Sequence, residues 1–243
     1  MASYKTKAIV INRLNLGESD RILTLFSPEY GKIRSVCKGG RRTKSKFGGH
    51  TELFSYCDFV ISEGKNLDIL SDSCLITNFL ADKPDMEKIK TAYYFAEVIN
   101  RLLPDKTPNR EVFDLYLFCL ENIYQIPEKL LQLIFVAKLL KILGIYPELS
   151  VCVKCEHKPN KDDLYFSKMA GGIIDQTCSL HFEDAIRTDE NTIKLWRYLA
   201  DSPASAGANI STSETTIAAA NLLAIEYIHC VTQIDYKSLR VLS

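Results

Sequence analysis

Short apolar runs rich in β-branched residues fill the first part of the chain. The runs cover residues 8–11, 22–26, 33–36, 54–61 and 67–70. Turn residues separate them, among them Gly17, Ser27-Pro28 and Gly31. This pattern predicts about five strands. Five short strands in about 70 residues suit a small closed barrel, for which the OB fold is the expected architecture and an SH3-like barrel the alternative.

After residue 84 the apolar positions follow the period of an α-helix. A first helix is predicted to begin near Asp85 and to end before Pro104. Further helices are predicted around residues 112–123, 128–143, 189–201 and 214–231, the last of them capped by Ser213. Residues 128–143 are apolar nearly all round and should form the central core helix. The fold is therefore predicted to be α+β, with an OB-type barrel over residues 1–80 and a helical domain over residues 81–243.

Composition limits the cellular setting. A chain of 243 residues with 47% apolar residues can bury a sizeable core. Its longest apolar run, residues 130–143, is shorter than the ~20 residues of a bilayer span, and the N-terminus lacks the apolar segment of a signal peptide. We therefore expect a soluble cytoplasmic protein with no membrane partner. In that compartment the eight cysteines are expected to be thiols or metal ligands, not disulfides.

Charge is divided unevenly along the chain. The formal net charge is zero, which alone argues against a nucleic-acid partner. Residues 1–50, however, hold 11 Lys plus Arg and 3 Asp plus Glu, a net charge of +8, and residues 51–243 hold 19 and 27, a net charge of −8. The positive segment is therefore the candidate surface for a polyanion.

The densest cationic cluster lies between residues 38 and 46. Its cations are Lys38, Arg41, Arg42, Lys44 and Lys46, and paired glycines flank it. Such a segment predicts a hairpin-like loop that fits a flexible phosphate backbone and binds it with strong salt dependence and no sequence preference. The adjacent Phe47 is expected either to stack on a base or to pack inside the barrel.

Cysteine spacing predicts a metal site in the helical part of the chain. Cys152-x2-Cys155 and Cys178-x2-His181 are separated by 22 residues, close to the two-pair arrangement of a structural zinc site. Four protein ligands leave no open position for a catalytic water, so one structural zinc per chain is expected, in a small insertion at about residues 150–185. His157 is a possible substitute for His181.

Known catalytic motifs are missing from the sequence. The segment around Lys44-Ser45 does not fit the phosphate-binding P-loop, and neither a G-x-S-x-G nor an H-E-x-x-H motif occurs. A metal-dependent nuclease would rest only on the carboxylates of Asp162-Asp163 and Glu183-Asp184. We therefore expect a binding protein and not an enzyme. An RNA-binding OB and zinc module of a translation or transcription factor is the alternative.

Taken together, these segments resemble the bacterial RecO DNA-repair family. The resemblance is carried by Ile11, residues 17–26 with the run Gly-Glu-Ser-Asp-Arg, residues 30–32, residues 38–42 and residues 44–47. It is densest over residues 5–75. It continues through the Gly-Ile-Tyr-Pro-Glu-Leu segment at residues 144–149, Gly171-Gly172 and the second metal pair. His181 departs from the family's commoner pattern of four cysteines.

The resemblance implies a recombination mediator. Such a protein binds single- and double-stranded DNA, anneals complementary strands and, with RecR, helps RecA displace single-stranded DNA-binding protein, whose acidic C-terminal tail would dock on the helical domain. The five loop cations match the family's DNA-binding stretch, and Arg21 matches its Glu-Ser-Asp-Arg run. Arg21 is thus a further DNA-binding candidate, although we expect Glu18, Ser19 and Asp20 to cap a turn and to pair with Arg21 in holding the barrel.

Overall fold

The computed structural model describes residues 2–81, 85–160 and 163–240. Packing divides the chain into two compact units. The first contains the chain up to Glu121 and the segment from Tyr236 onward, and the second contains Asn122–Asp235. The chain therefore leaves the first unit, builds the second and returns to the first. Within the described residues, no helix has both the length and the apolar character needed to span a bilayer.

A closed five-stranded barrel forms the centre of the first unit. Its strands are β1 (Ser3–Leu16), β2 (Asp20–Ser27), β3 (Gly31–Cys37), β4 (Ser55–Ser62) and β5 (Asp68–Asn78). Their order around the barrel is β1-β2-β3-β5-β4. Neighbouring strands are antiparallel except β3 and β5, which pair in parallel through Val36 and Ile69. The predicted OB-like barrel is thus confirmed.

Alternation along the strands places one set of side chains inside the barrel. The buried interior residues come from all five strands and from the segment between β3 and β4, and they are Ala8, Val10, Leu23, Leu25, Ile33, Cys37, Phe47, Cys57, Phe59, Ile61 and Leu70. A short 3-10 turn, Gly49–Thr51, precedes β4. The opposite side of each strand is left for helices or solvent.

Two helices of the first unit pack on the outer surface of the barrel. They are α1 (Met86–Leu102), which begins beside Asp85 as predicted and is capped by its carboxylate, and α2 (Arg110–Glu121). The Phe113 ring of α2 lies 5.7 Å from the Phe26 ring of β2, measured between centroids. The Tyr93 ring of α1 meets Phe54 edge-on at 5.2 Å. These aromatic contacts join the helices to the barrel.

The second unit is built around a helix that is buried on all sides. This helix, α3 (Glu128–Ile142), is surrounded by α5 (Glu190–Asp201), the short α6 (Ala204–Gly207) and α7 (Glu214–Thr232), as its continuous apolar sequence predicts. A small sheet of order β7-β6-β8 adjoins these helices, with β6 at Leu164–Ser167, β7 at Gly172–Asp175 and β8 at Ile186–Arg187. The short α4 (Gln176–Ser179) follows β7 directly.

The returning chain end is fastened to the first unit. Tyr236 is fully buried, and its ring meets the Tyr94 ring of α1 edge-on at 5.9 Å. The following short helix, α8 (Lys237–Arg240), is held at its start by the Glu97 carboxylate. That carboxylate accepts hydrogen bonds from the backbone amides of Lys237 and Ser238 at 3.1 and 2.9 Å. A residue of α1 thus supplies the acceptor that the first turn of α8 requires.

Two glycines in turns of the first unit allow a matched test of the packing. Gly17 and Gly31 both have left-handed φ angles, 59° and 65°. A Cβ on Gly31 would lie 2.2 Å from the carbonyl oxygen of Thr107, whereas nothing lies within 4 Å of a Cβ on Gly17.

We expect Gly17→Ala to lower the free energy of unfolding by about 1 kcal/mol, the cost of the left-handed conformation. Gly31→Ala should lower it by about 3 kcal/mol or more, because overlap is added. Equal losses in denaturant unfolding would contradict this account.

Candidate nucleic-acid interface and metal centre

The basic loop, residues 38–48, leaves β3 at one end of the barrel. It consists of consecutive turns. The amide of Arg42 donates to the Gly39 carbonyl at 3.0 Å, that of Ser45 to Arg42 at 2.8 Å and that of Gly48 to Ser45 at 3.3 Å. The loop is therefore a wound, internally hydrogen-bonded segment, and the expected hairpin-like form is wrong.

All five cations of the basic loop are exposed. Among the described residues, Lys38, Arg42 and Lys44 form no ion pair. The Lys46 ammonium lies 3.1 Å from the Asp72 carboxylate, and Arg41 donates a guanidinium hydrogen bond to the Gly17 carbonyl at 2.9 Å. Among the described residues, these three cations are therefore available to an incoming anion without the loss of an ion pair or a side-chain hydrogen bond.

The turn between β1 and β2 fixes the start of the basic loop. One carboxylate oxygen of Asp20 accepts the Gly39 amide at 2.8 Å and the Ser19 hydroxyl at 3.0 Å. The Arg41 amide donates to the Ser19 carbonyl at 2.9 Å. The hydrogen bond from Gly39, followed by that from Ser19, lowers the pKa of Asp20 below its ordinary value. Ser19 and Asp20 of the Glu-Ser-Asp-Arg run thus hold the start of the basic loop against the turn between β1 and β2.

Arg21 lies at the same end of the barrel but is held internally. Its side chain is 17% exposed and donates to the Thr51 hydroxyl at 3.2 Å and to the Glu52 carboxylate at 3.0 Å. Arg13 pairs with the same carboxylate. Burial alone would raise the pKa of Glu52, but the hydrogen bond from Arg21 and the charge of Arg13 hold it below its ordinary value. Arg21 therefore links β2 to the segment before β4.

Phe47 takes the second of its two expected positions. It is 6% exposed and belongs to the barrel interior. The Lys46 ammonium lies 4.8 Å from the centroid of its ring. In this position the ring anchors the far end of the basic loop in the core, and its faces are not available to a nucleobase.

A candidate metal centre lies in the second unit. The side-chain ligand atoms of Cys152, Cys155, Asp175 and Cys178 all lie within 4.8 Å of one another. A tight knuckle presents the first two, since the Cys152 amide donates to the His157 carbonyl at 2.8 Å. Asp175 ends β7, and its carboxylate caps α4 by accepting the Cys178 amide at 2.7 Å. A strand end, a helix start and a knuckle thus bring the four together.

Hydrogen bonds within the centre already polarise its groups. The Cys155 thiol donates to the Asp175 carboxylate at 2.9 Å, and this bond is the main reason that the pKa of Asp175 falls to about 2. Burial, followed by hydrogen bonding to Cys152, raises the pKa of the Cys178 thiol to about 12. Three sulfurs and one carboxylate oxygen form a donor set that can hold a metal ion without an open position.

The structure brings together three of the four predicted ligands. His181 is exposed and is not in the group, and the alternative, His157, is exposed as well. Asp175 occupies the fourth place, and the sequence analysis missed it. The sequence carries only a partial signal, because an Asp can cap a short helix that begins before Cys178, but its approach to Cys152 and Cys155 depends on the fold.

One of the carboxylates considered for a nuclease, Asp184, has a structural role. Asp184 accepts the Ser167 hydroxyl at 2.8 Å and the Met169 amide at 2.9 Å, and it thereby closes the turn after β6. Asp162 lies outside the described residues. Asp184 is thus explained by local turn structure.

Comparisons with known proteins cover almost the whole chain. The family model described as "Recombination protein O N terminal" matches residues 1–79. The model described as "Recombination protein O C terminal" matches residues 83–240. The boundary between the two matches falls between the end of β5 and the start of α1.

Several curated proteins are similar over most of their length. The DNA repair protein RecO of Caldanaerobacter subterraneus is 30% identical over 98% of this chain and 96% of its own. That of Roseiflexus sp. is 31% identical over 98% of this chain and 84% of its own. That of Dehalococcoides mccartyi is 34% identical over 82% of this chain and 78% of its own.

The hydrogen bond between Asp20 and Gly39 predicts a titration. Because the folded pKa of Asp20 is lowered, the bond is fully present above the ordinary carboxyl pKa and is lost as pH falls through the lower, folded value. The NMR shift of the Gly39 amide proton should follow that titration. Asp20→Asn should abolish it, whereas Glu18→Gln should leave it in place. A titration midpoint at or above the ordinary carboxyl pKa would contradict the assignment.

The metal centre predicts that cysteines differ in their effect on metal content. Cys178→Ser should lose bound metal and lower the melting temperature of the second unit, because one of four donors is removed. Cys74 is exposed and lies outside the group, so Cys74→Ser should retain metal. Elemental analysis of both purified variants checks this. Equal metal content in the two variants would contradict the assignment of this group as a metal centre.

The fourth ligand can be identified by a second pair of variants. Asp175→Asn keeps a helix-capping side chain but removes the carboxylate, and His181→Ala removes the imidazole. The geometry predicts that Asp175→Asn weakens metal retention against a chelator more than His181→Ala does. The reverse ranking would restore His181 as the ligand.

Proposed function

Because this chain belongs to the RecO family of DNA repair and recombination proteins, we propose that it is a recombination mediator which binds single- and double-stranded DNA through the basic loop. The proposal includes annealing of complementary strands. It also includes assistance to RecA, with RecR as partner, in displacing single-stranded DNA-binding protein. The protein acts by binding and not by catalysis.

The main support for this proposal is the set of exposed cations in the basic loop. Five cations lie within nine residues, and Lys38, Arg42 and Lys44 among them form no ion pair in the described part of the chain. Each phosphate that they neutralise releases condensed counterions, which favours binding at low salt. The turn that anchors Gly39 and Arg41 holds these charges together at one end of the barrel. A preformed cluster loses less conformational entropy on binding.

Annealing follows from the same electrostatics. Two complementary strands repel each other through their phosphates, and a protein that neutralises both backbones lowers that repulsion. The contacts proposed here are to phosphate and carry no sequence information, so any complementary pair can be brought together. Arg21 contributes indirectly, by holding β2 to the segment before β4.

The second unit supplies the proposed protein contacts and the structural metal. We assign zinc to the group of three cysteines and Asp175, because thiolate-rich tetrahedral sites favour that ion. Residues 81–243 hold 18 Lys plus Arg and 22 Asp plus Glu, a net charge of −4, which disfavours DNA. Docking of RecR, and of the acidic tail of single-stranded DNA-binding protein, is proposed on the helical domain because membership of the family implies these partners.

Neutralising the unpaired loop cations tests the DNA assignment. The triple variant Lys38→Gln, Arg42→Gln, Lys44→Gln should weaken binding to single-stranded DNA by at least about tenfold at physiological salt. The slope of log affinity against log salt should fall by about 2, since about 0.7 is lost for each phosphate contact to a single strand. Fluorescence anisotropy over a salt series gives both values.

A control triple variant keeps the same change of net charge. Lys5, Lys7 and Lys65 are exposed lysines of the first unit outside the basic loop, and their replacement by Gln should have little effect on affinity or slope. Equal losses of DNA affinity in the two variants would mean that the loop contributes only through the net charge of the protein. An RNA strand that competes better than DNA would favour the RNA-binding alternative.

The mediator role is tested by annealing. Complementary oligonucleotides coated with single-stranded DNA-binding protein should anneal faster when the protein is added, and RecA filament formation on such DNA should need RecR as well. The triple loop variant should lose both activities. Annealing that is unchanged by that variant would separate the activity from the basic loop.

A further inference from the structure

We propose that the end of the barrel opposite the basic loop binds a guanidinium group, and that its occupant in the absence of DNA is Arg42 of a second copy of this chain. This end is named the barrel mouth, and it is formed by Tyr4, Glu29, Tyr30, Glu63 and Asp68. The contact between copies does not depend on the proposed function. Its release by DNA rests on that function, since phosphate then binds the same cation.

Strand direction places the barrel mouth and the basic loop at opposite ends of the barrel. The mouth lies where β1 begins and where the β2–β3 and β4–β5 turns lie, and Ser3 of β1 pairs with Ser62 of β4 at this end. The basic loop follows Cys37 at the other end of β3. The strand between them, Gly31–Cys37, spans about 20 Å. The loop is anchored at its start, so it does not reach the mouth of its own chain.

The barrel mouth is a concave site and not a flat surface. It encloses a cavity of about 330 Å³ that Ile33 also lines. Asp68 precedes the interior residue Leu70 by two positions on β5, so its side chain points into the barrel, where it is 4% exposed. Tyr4 of β1 packs against the interior residues. A buried carboxylate and an aromatic ring thus form the inner part of the mouth.

The barrel mouth carries more negative charge than its own cation balances. The Asp68 carboxylate accepts the Tyr4 hydroxyl at 3.1 Å, and it lies 3.8 Å from the ammonium of Lys106, a side chain that is 73% exposed. Glu29 and Glu63 are exposed at the rim, and neither forms an ion pair within the described residues. Three carboxylates therefore share one loosely held ammonium.

Stacked tyrosine rings favour a planar cation. The centroids of the Tyr4 and Tyr30 rings lie 4.4 Å apart at an interplanar angle of 32°, and Tyr30 is 39% exposed. A guanidinium stacks on such a ring while its N–H groups bind carboxylates, whereas an ammonium acts as a point charge. Burial, followed by the charge of Asp68, raises the pKa of Tyr4, and Glu63 adds to the rise. The mouth is thus a site of negative potential beside an aromatic face.

The basic loop presents the matching group. Lys38, Arg42 and Lys44 are exposed and unpaired in the described part of the chain, and Arg42 is the guanidinium among them. Arg41 is already engaged by the Gly17 carbonyl. The loop is preformed by its turns, so its insertion costs little conformational entropy. Charge complementarity therefore commits the mouth to the basic loop of another copy.

Association of this kind is head-to-tail. Each copy offers its loop to one neighbour and its mouth to another, so growth continues with concentration and does not stop at a dimer. The attraction joins largely exposed charges, which makes it weak and sensitive to salt. DNA phosphates compete for Arg42, so DNA binding should release the copies from one another.

The test follows self-association by sedimentation velocity. We expect the weight-average sedimentation coefficient of the unaltered protein to rise with protein concentration at low salt and to become constant at high salt. The mouth variant is Glu29→Lys, Glu63→Lys, and the loop variant is Lys38→Glu, Arg42→Glu, Lys44→Glu. Each should associate at least about tenfold more weakly than the unaltered protein, since like charges then face each other. Saturating oligothymidylate should separate the copies of the unaltered protein.

Mixing the two variants distinguishes the proposed pairing from a general effect of charge. The mouth variant has a cationic mouth and a cationic loop, and the loop variant has an acidic mouth and an acidic loop. Each mouth in the mixture therefore meets a loop of opposite charge on the other variant, and association should return. The control Glu121→Lys, Glu183→Lys makes the same change of net charge as the mouth variant at exposed sites outside the mouth, and it should associate like the unaltered protein.

Thermal melting establishes that each variant is folded. The Glu29 carboxylate also accepts hydrogen bonds from the hydroxyls of Thr6 and Ser27, at 2.9 and 3.2 Å. Glu63→Lys alone therefore serves as the mouth variant if the double change unfolds the protein.

Four results would overturn the inference. They are a sedimentation coefficient that does not depend on concentration at low salt, undiminished association of the mouth variant, no association in the mixture, and assembly that persists on DNA-bound protein. Failure of the unaltered protein to bind DNA, with its salt-sensitive assembly and the rescue by mixing intact, would remove the proposed function and support the contact between copies.

Discussion

Closure of the barrel is the constraint on which the rest of the first unit depends. Only Ser35 and Val36 of β3 pair with Asp68 and Ile69 of β5, yet this short parallel contact closes the sheet and leaves it without an edge. Once the barrel is closed, the direction of every strand side chain is fixed. Antiparallel pairing of β2 with β3, which sets Arg21 opposite Cys37, brings the β1–β2 turn beside the end of β3, where Asp20 receives the Gly39 amide.

Elements defined by local physics could be predicted from the sequence. The β-branched runs became the five strands, and Asp85, Asp189 and Ser213 cap helices α1, α5 and α7. In each case the signal lies within a few residues, because alternation, helical period and capping are local properties. The spacing of the cysteines located the metal group by similarly short-range reasoning, as far as the cysteines themselves.

What could not be predicted depends on contacts distant in sequence. Asp175 joins the metal group because β7 ends beside a knuckle that lies about twenty residues earlier. Arg21 is drawn inward by Thr51 and Glu52, partners that no pattern around Arg21 announces.

The return of the chain to its first unit has a consequence for protein synthesis. Residues emerge from the ribosome in order, so the barrel, α1 and α2 are complete before Tyr236 has been made. Until then the Tyr94 ring and the Glu97 carboxylate of α1 lack the partners that Tyr236 and Ser238 provide. The nascent first unit therefore gains these contacts only after the whole second unit has been translated. A chain that ends within the second unit would lack Tyr236 and Ser238, and α1 would be without the contacts that they make with Tyr94 and Glu97.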